Sequence, residues 1–189
     1  MPKPAYLETS IFIEMATPRS KHKARIRELL GDFRDRHVHV YTSMLTVQEM
    51  SVAVYRRGTV ARDIYSDIRS IARVYNLTKE IAMTAAKIEA ELKDNADAQA
   101  SKRDKSKPLS VQEQIDQACE NRRRKWDCFH IATALVLECD VMYSTDEKLQ
   151  KRPNQLGLKN LKIIPPPEAL KTIKGPLLDA KEEDDGKKS

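Results

Sequence analysis

The sequence predicts a three-layer α/β/α fold in which helices cover both faces of a central parallel sheet. Short apolar segments rich in β-branched residues alternate with longer segments whose apolar residues recur at helical spacing. Strands that alternate with helices are typical of a parallel sheet. Charged residues make up 33% of the chain and only five residues are glycine, which favours a helix-rich protein. A length of 189 residues is sufficient for one compact domain with short appendages.

Four short segments are predicted to be strands. They are Ala5 to about Glu8, Val38 to Tyr41, Val141 to Ser144 and Leu161 to Ile164. The first of them is an apolar stretch that Glu8-Thr9-Ser10 interrupts, and Thr9 or Ser10 can cap a following helix. This order predicts a first unit of strand, loop and helix.

Helices are predicted between these strands, with boundaries set by capping and glycine signals. They are a basic helix through Arg25 to Leu30 that leads to Gly31, Met44 to Tyr55 ended by Gly58, about Ala61 to Tyr75 stopped at Asn76, Thr78 through Leu92, one opened by the capping box Ser110 to Glu113, and Asp127 to Glu138. The pattern leaves open whether the helix that begins after Ser110 continues past Trp126.

The domain organisation follows from two stretches without apolar periodicity. Residues 1–170 are predicted to form one domain with a polar inserted loop at about 94–109. A short helix is predicted at Glu168 to Lys171, and residues 171–189 are predicted to be a charged, disordered tail.

Composition limits the class of protein. The net charge of +6 modestly favours an anionic partner such as nucleic acid. Three cysteines without CxxC spacing predict neither a disulfide framework nor a zinc site, and they favour a reducing compartment. No apolar run approaches the roughly 20 residues of a membrane span, and the first residues lack a signal-peptide segment. We therefore expect a cytoplasmic protein without a membrane partner.

Four acidic residues are candidates for one site at the edge of the sheet. Glu8 and Asp146 follow predicted strands, Glu49 lies in the first turns of a predicted helix, and Asp127 begins another. Ligands of open parallel sheets bind beyond the carboxyl ends of the strands, so these side chains can converge there. Clustered carboxylates repel one another unless a cation neutralises them, and oxygen ligands suit Mg²⁺ or Mn²⁺. Such an ion can activate water and orient a phosphodiester, which is nuclease chemistry.

Each of these acids also has a structural explanation. Glu49 fits a capping box with Thr46, Asp127 suits a helix N-terminus, and Asp146 suits a turn. Glu8 is harder to explain in this way, because a carboxylate that ends an apolar strand needs a partner or a wet rim. The four placements together favour a site. His130 is left out of it, since no second histidine is suitably spaced and packed histidines are commoner than ligands.

Three segments resemble the successive motifs of PIN-domain nucleases, especially VapC-like toxins. They are YLETSIFI, TSMLTVQEM and WDCFHIATALVLECDVMYSTDEKL. The third is the specific one, with an acid opening D-x-x-H-I-A-T-A before a strand and S-T-D. The match spans about Tyr6 to Pro167, although this chain is longer than VapC-like toxins usually are.

The resemblance implies a PIN-like fold and a divalent-metal-dependent endoribonuclease, as the toxin of a toxin–antitoxin pair or a related defence effector. It implies that Glu8, Asp127 and Asp146 are metal ligands and that Glu49 is the helix-borne catalytic acid. Thr9 and Thr145 would orient ligands or waters. The family usually has aspartate where this chain has Glu8, which places the carboxylate roughly 1.5 Å further out.

Partners follow from the same considerations. RNA is the expected substrate, and the basic run before Asp127 is expected to contact phosphates, although such runs are usually solvated helix ends. The run consists of Arg122, Arg123, Arg124 and Lys125. An antitoxin protein is a second expected partner. A homodimer is predicted because the helices from Ala61 to Leu92 carry more apolar positions than one sheet face can cover.

Two other functions are weighed against the nuclease. A catalytically weakened PIN domain could act as an RNA- or protein-binding scaffold, and Glu8 motivates that alternative. A phospho-acceptor receiver domain has similar topology but needs an acidic pair after the first strand, where this chain has Glu8-Thr9-Ser10. The nuclease is therefore the leading hypothesis.

Overall fold

The computed structural model describes residues 2–56, 63–100 and 110–166, and it describes no side chains for residues 96–100. One sheet contains five strands in the order β3-β2-β1-β4-β5, and all neighbouring strands are parallel. The strands are β1 (Ala5–Leu7), β2 (Val40–Ser43), β3 (Arg73–Tyr75), β4 (Val141–Tyr143) and β5 (Lys162–Ile164). The chain moves outward from β1 to β3 and then returns to β4 beside β1, so the strand order reverses between β1 and β4.

Helices cover both faces of this sheet, which confirms the predicted α/β/α class. They are α1 (Thr9–Ala16), α2 (Lys23–Asp35), α3 (Met44–Arg56), α4 (Ile64–Arg69), α5 (Lys79–Ala100), α6 (Val111–Val136), α7 (Glu147–Gln150) and α8 (Arg152–Gln155). Across the described residues, none of these helices has the length and apolarity needed to cross a membrane.

Alternating side chains of the central strands build two separate cores. Tyr6 and Met142 point to one face, where they pack with the buried apolar residues of α5 and α6. Leu7 and Tyr143 point to the other face, where they pack with α1, α2 and α4. This alternation follows from the two-residue period of a strand, and both faces of a parallel sheet must be covered because both are apolar.

The third strand was not predicted. The helix expected from about Ala61 to Tyr75 is wrong in its second half, because α4 ends at Arg69 and Arg73–Tyr75 pairs with β2 as an edge strand. Only Val74 of this strand is even half-buried. A three-residue edge strand with one inward apolar residue leaves no apolar run for sequence patterns to detect.

Two helix ends also differ from the prediction. α2 continues through Gly31 to Asp35, and α5 continues to Ala100, into the segment predicted as a loop from residue 94. Residues 101–109 of that loop lie outside the described residues. The sequence of this stretch contains alanine, aspartate and glutamine, which are compatible with helix, but no apolar residue larger than alanine, so periodicity alone ended the predicted helix too early.

Asp127 does not open a helix. The capping box predicted at Ser110 and Glu113 is present and begins α6, which runs unbroken for 26 residues, so Asp127 lies in its interior. The predicted stop at Gly58, the helix at Glu168 to Lys171 and the tail 171–189 lie outside the described residues. The assignment of residues 1–170 to one domain stays a prediction.

Candidate active site

Glu8 lies where the strand order reverses. Its backbone N–H donates to the carbonyl of Tyr143 at 3.0 Å, which continues the pairing of β1 with β4. Its side chain caps α1: Oε2 accepts hydrogen bonds from the Ser10 N–H at 3.0 Å and from the Ser144 hydroxyl at 2.9 Å. Only 9% of the residue is exposed. The predicted position of this acid, just beyond the carboxyl end of the first strand, is therefore correct.

Asp146 lies at the neighbouring strand end and caps α7. One carboxylate oxygen, Oδ1, accepts from the Lys148 N–H at 2.8 Å and from the Leu149 N–H at 3.3 Å. The Asp146 N–H donates to Ser144 Oγ at 3.0 Å. Ser144 thus contacts both Glu8 and Asp146, which ties the two strand-end acids together.

Asp127 reaches the same region from α6. Burial raises the pKa of Asp127 to about 6; the positive charge of Arg152 opposes this shift, while the negative charges of Asp146 and Glu8 add to it. The Arg152 guanidinium approaches Asp127 Oδ2 at 3.5 Å. The acids of two strand ends and one helix therefore influence one another in a largely dehydrated place.

Glu49 is held by hydrogen bonds from two directions. Thr9 donates a short hydrogen bond to Glu49 Oε2, and His130 Nε2 lies 3.2 Å from the same oxygen. Burial by itself would raise the pKa of Glu49, but these two hydrogen bonds lower it below its ordinary value. Glu49 is therefore a carboxylate that favours its charged form.

His130 is a buried member of this cluster that the sequence prediction left out. Its Nδ1 lies 2.7 Å from the Tyr6 hydroxyl, and the residue is 2% exposed. Burial disfavours the imidazolium, but the hydrogen bond to Glu49 and the negative charges of Glu8, Glu49 and Asp127 raise the pKa of His130 above its ordinary value. The available signal was its spacing: His130 follows Asp127 by three residues, which places both on one face of a helix.

The geometry suits a cation. Ligand atoms of Glu8, Glu49 and His130 lie within 4.8 Å of one another. This set shares only Glu8 with the predicted metal ligands Glu8, Asp127 and Asp146, so the ligand set stays a prediction. Two carboxylates and an imidazole at this separation are groups that can hold a divalent ion, and Arg152 is the cation that already lies beside the neighbouring Asp127.

The remaining predicted residues surround the cluster. Thr9 contacts Glu49, as described above, and the Thr145 N–H donates to Ser10 Oγ at 2.9 Å. The basic run precedes Asp127 on α6, with Arg122, Arg123 and Lys125 exposed and Arg124 hydrogen-bonded to Asn121 at 2.8 Å. Its role in binding nucleic acid stays a prediction.

Arg152 was not predicted as part of the site. It lies in the first turn of α8, with 9% of the residue exposed, and its Nη2 donates to Glu120 at 3.0 Å. With Asp127 on its other side, Arg152 links the outer part of α6 to the acidic cluster. Nothing in the local sequence marks it, because Lys151-Arg152-Pro153 resembles an ordinary surface turn.

The fold and these acids define an α/β/α protein with an acidic cluster at the switch point of a parallel sheet. The family model of the PIN domain matches residues 5–155, so the chain belongs to the PIN domain family, which is a family of nucleases. Among solved structures, the chain resembles the VapC20 toxin of Mycobacterium tuberculosis, described as cleaving the sarcin–ricin loop. The identity is 13%, the TM-score is 0.44, and the alignment covers 77% of this chain and 92% of that one. No curated protein matches the chain.

Proposed function

We propose that the protein is a divalent-metal-dependent endoribonuclease that hydrolyses RNA phosphodiester bonds. The observation that carries this proposal is the convergence of Glu8, Glu49, Asp127 and His130 with Asp146 at the strand-order reversal of a PIN-domain sheet. A buried group of carboxylates that Arg152 and His130 only partly offset is costly at that point unless it serves to bind a cation.

Each residue has a proposed role. Glu8, Asp127 and Asp146 hold Mg²⁺ or Mn²⁺, with the donor atoms of Glu49 and His130 beside them. When bound, the cation supplies charge neutralisation and Lewis-acid polarisation at the phosphodiester. Thr9 orients the Glu49 carboxylate. The pKa of Glu49 is lowered and the pKa of His130 is raised, as in an ion pair, so the carboxylate favours its charged form. Thr145 stabilises the loop that carries Asp146.

RNA would approach along α6. The basic run from Arg122 to Lys125 lies one turn from Asp127 on the same helix, so a strand held by its phosphates there would lead to the acidic cluster. We further propose that the protein is the toxin of a toxin–antitoxin pair or a related defence effector in the cytoplasm. That step rests on the motif resemblance, and the gene beside this one would test it directly.

Removing single acids tests the nuclease. We expect RNA cleavage with Mg²⁺ or Mn²⁺, and we expect Asp127→Asn and Asp146→Asn to lower the rate by roughly tenfold to hundredfold or more, because each removes a charged ligand. The matched control is Asp140→Asn, an exposed acid that pairs with Lys3 at the other end of β4. Circular dichroism checks that all variants are folded. A folded wild-type chain that binds RNA and cuts none with either ion contradicts the proposal and supports the scaffold function.

Glu8→Asp tests whether the longer side chain limits the rate. Aspartate is a better N-cap than glutamate, so it can keep the hydrogen bond from the Ser10 N–H while drawing the carboxylate back by about one methylene. We expect a faster single-turnover rate at saturating metal. An equal or slower rate would mean that the site is adapted to glutamate.

We also propose a homodimer that forms through α1 and α3. The apolar stripe of α5 that motivated the prediction is buried within the chain, since Ile81 and Leu92 are at most 4% exposed. Large apolar side chains are exposed on several elements, Met83 of α5 among them. On α1 and α3, which contact each other, Ile13, Val52 and Tyr55 are 41%, 43% and 67% exposed. A second copy of this chain can cover them.

Light scattering at micromolar concentration tests the dimer. We expect twice the chain mass for the wild type and one chain mass for a Val52→Asp and Tyr55→Asp double variant, because buried carboxylates without partners oppose association. Met83→Asp is the control, since Met83 is 65% exposed on α5, away from this surface. A wild-type monomer would exclude the dimer.

A further inference from the structure

A groove lies at the end of the sheet opposite the acids. It has a volume of about 310 Å³ and lies between the last turns of α2, the end of α4 and the amino ends of β2 and β3. Because Glu8 and Asp146 follow the carboxyl ends of their strands, a strand length of roughly 10–13 Å separates the groove from the acidic cluster. The groove is therefore not part of the site described above.

The groove combines an apolar floor with a basic rim. Its floor includes the half-buried Leu30, Val38 and Ile71, with the buried Phe33 also lining it, and its rim includes three exposed arginines and an exposed histidine. The rim residues are Arg34, His39, Arg69 and Arg73. Among the described residues, no aspartate or glutamate lines the groove.

The arginines of this rim have no carboxylate partner within the described part of the chain. Asp32, a nearby acid on α2, lies 3.6 Å from Arg36, which is outside the rim. Arg69 lies over the ring of Tyr65, with its guanidinium carbon 5.5 Å from the ring centroid. Three like charges kept together around a concave surface raise the local concentration of anions.

We propose that this groove binds a nucleotide, with its phosphate on the arginine rim and its base against the apolar floor. Guanidinium groups bind phosphate through paired N–H donors. Three of them offer more donors than a ligand with a single carboxylate could accept, which favours phosphate. The volume is at the lower limit of ligand pockets and is suited to one nucleotide unit. The nucleotide is either a free one or one unit of an RNA strand. This inference does not depend on the nuclease proposal.

Binding measurements without divalent metal test the groove separately from catalysis. Isothermal titration of the full chain in EDTA uses adenosine 5′-monophosphate, adenosine and a short single-stranded RNA as probes. We expect the monophosphate to bind and adenosine to bind roughly tenfold more weakly or not at all. Arg69→Gln with Arg73→Gln should weaken binding of the monophosphate by roughly tenfold or more. Arg34→Gln, on the α2 side of the groove, should also weaken it.

Arg25→Gln with Arg27→Gln is the matched control, because both arginines are exposed on α2 and neither lines the groove. It removes the same charge and should leave affinity for the monophosphate within about twofold. If the double rim variant also weakens RNA binding and the monophosphate competes with RNA, the nucleotide belongs to an RNA strand. If RNA binding is unchanged, the ligand is the free nucleotide.

Three results would overturn the proposal. The first is that neither the monophosphate nor RNA binds in a way that depends on Arg69 and Arg73. The second is that adenosine and its monophosphate bind equally well. The third is that the control variant loses as much affinity as the rim variant. RNA cleavage is measured separately with metal present. A chain that fails to cut RNA but binds the monophosphate through Arg69 and Arg73 would contradict the nuclease proposal and support the nucleotide-binding proposal.

Discussion

Arg152 is a cation that the protein places beside a cluster of acids. It contacts Asp127 at 3.5 Å and Glu120 at 3.0 Å with only 11% of its side chain exposed. Its charge opposes the upward shift of the Asp127 pKa, so it partly offsets the cost of burying that carboxylate. Arg152 thus favours the charged form of this carboxylate.

Arg152→Gln is expected to lower the free energy of unfolding by about 1–3 kcal/mol, because it leaves a buried carboxylate without an opposing charge. Lys148→Gln is the control: Lys148 also contacts Glu120, at 2.8 Å, but 59% of its side chain is exposed, so we expect a loss below about 1 kcal/mol. Urea denaturation of both variants in metal-free buffer at neutral pH measures the difference. Equal losses would show that burial of Arg152 adds nothing.

The sequence predicted acids better than it predicted their partners. Glu8 was recognisable because a carboxylate directly after an apolar strand needs a partner or a wet rim, and Asp146 because it follows a predicted strand in the segment S-T-D. His130 and Arg152 were not, since a histidine in an apolar helix and an arginine before a proline are both common in proteins without sites. Their roles depend on contacts between segments that are distant in the chain, which single-sequence patterns do not contain.

At the scale of elements, two helices end on left-handed residues that carry side chains. His37 follows α2 and Glu138 follows α6, each with φ of 53°. At both ends, backbone N–H groups return to the last turn: Val38 donates to Phe33 at 2.8 Å, and Cys139 donates to Ala134 at 2.9 Å. Glycine adopts this conformation without the steric cost that a Cβ atom adds.

Glu138→Gly is therefore expected to raise the free energy of unfolding by about 0.5–1 kcal/mol. Glu138→Ala removes the same charge but keeps the Cβ atom, so it should leave stability unchanged or lower it slightly. Thermal denaturation of the three proteins under identical conditions gives the comparison. A glycine variant no more stable than the alanine variant would show that this helix end holds little strain.

Most elements with a strong apolar stripe were predicted. The exception is α1, which buries Ile11 and Phe12 but begins directly after Glu8, where the predicted first unit has a loop. β1, β2, β4 and β5 each bury apolar side chains between other strands or helices, and all four were found within about two residues. β3 has one inward residue, and the last part of α5 has no stripe, so both were missed. α6 was divided at Asp127 because an acid after a basic run resembles a helix start, whereas the helix continues through it to reach the core.

At the scale of the whole molecule, one of the two cores contains two cysteines, and the third cysteine lies at the surface. Cys128 and Cys139 are buried in the core beneath α5 and α6, and burial raises the pKa of each thiol to about 12. Cys119 is exposed on the outer half of α6. The reactivity of the three thiols should therefore report on the integrity of the fold.

We expect iodoacetamide at pH 8 to modify one cysteine per native chain, Cys119, and all three after denaturation. The buried thiols are neutral at this pH and inaccessible, so they react only through opening of the core. Mass spectrometry of the intact chain and its peptides counts and locates the adducts. Rapid modification of Cys128 in the native chain would show that this core is open.

The position of β1 in the middle of the sheet has a consequence during translation. One neighbour of β1 is β2, but the other is β4, which begins 136 residues later, at Val141. At ribosomal rates of about 5–20 residues per second, β1 is synthesised roughly 7–27 s before its second neighbour. The same interval separates the synthesis of Glu8 from that of Ser144 and Asp146. A nascent chain thus cannot assemble the complete acidic cluster, and a cell that makes this protein is exposed to its activity only after nearly the whole domain has left the ribosome.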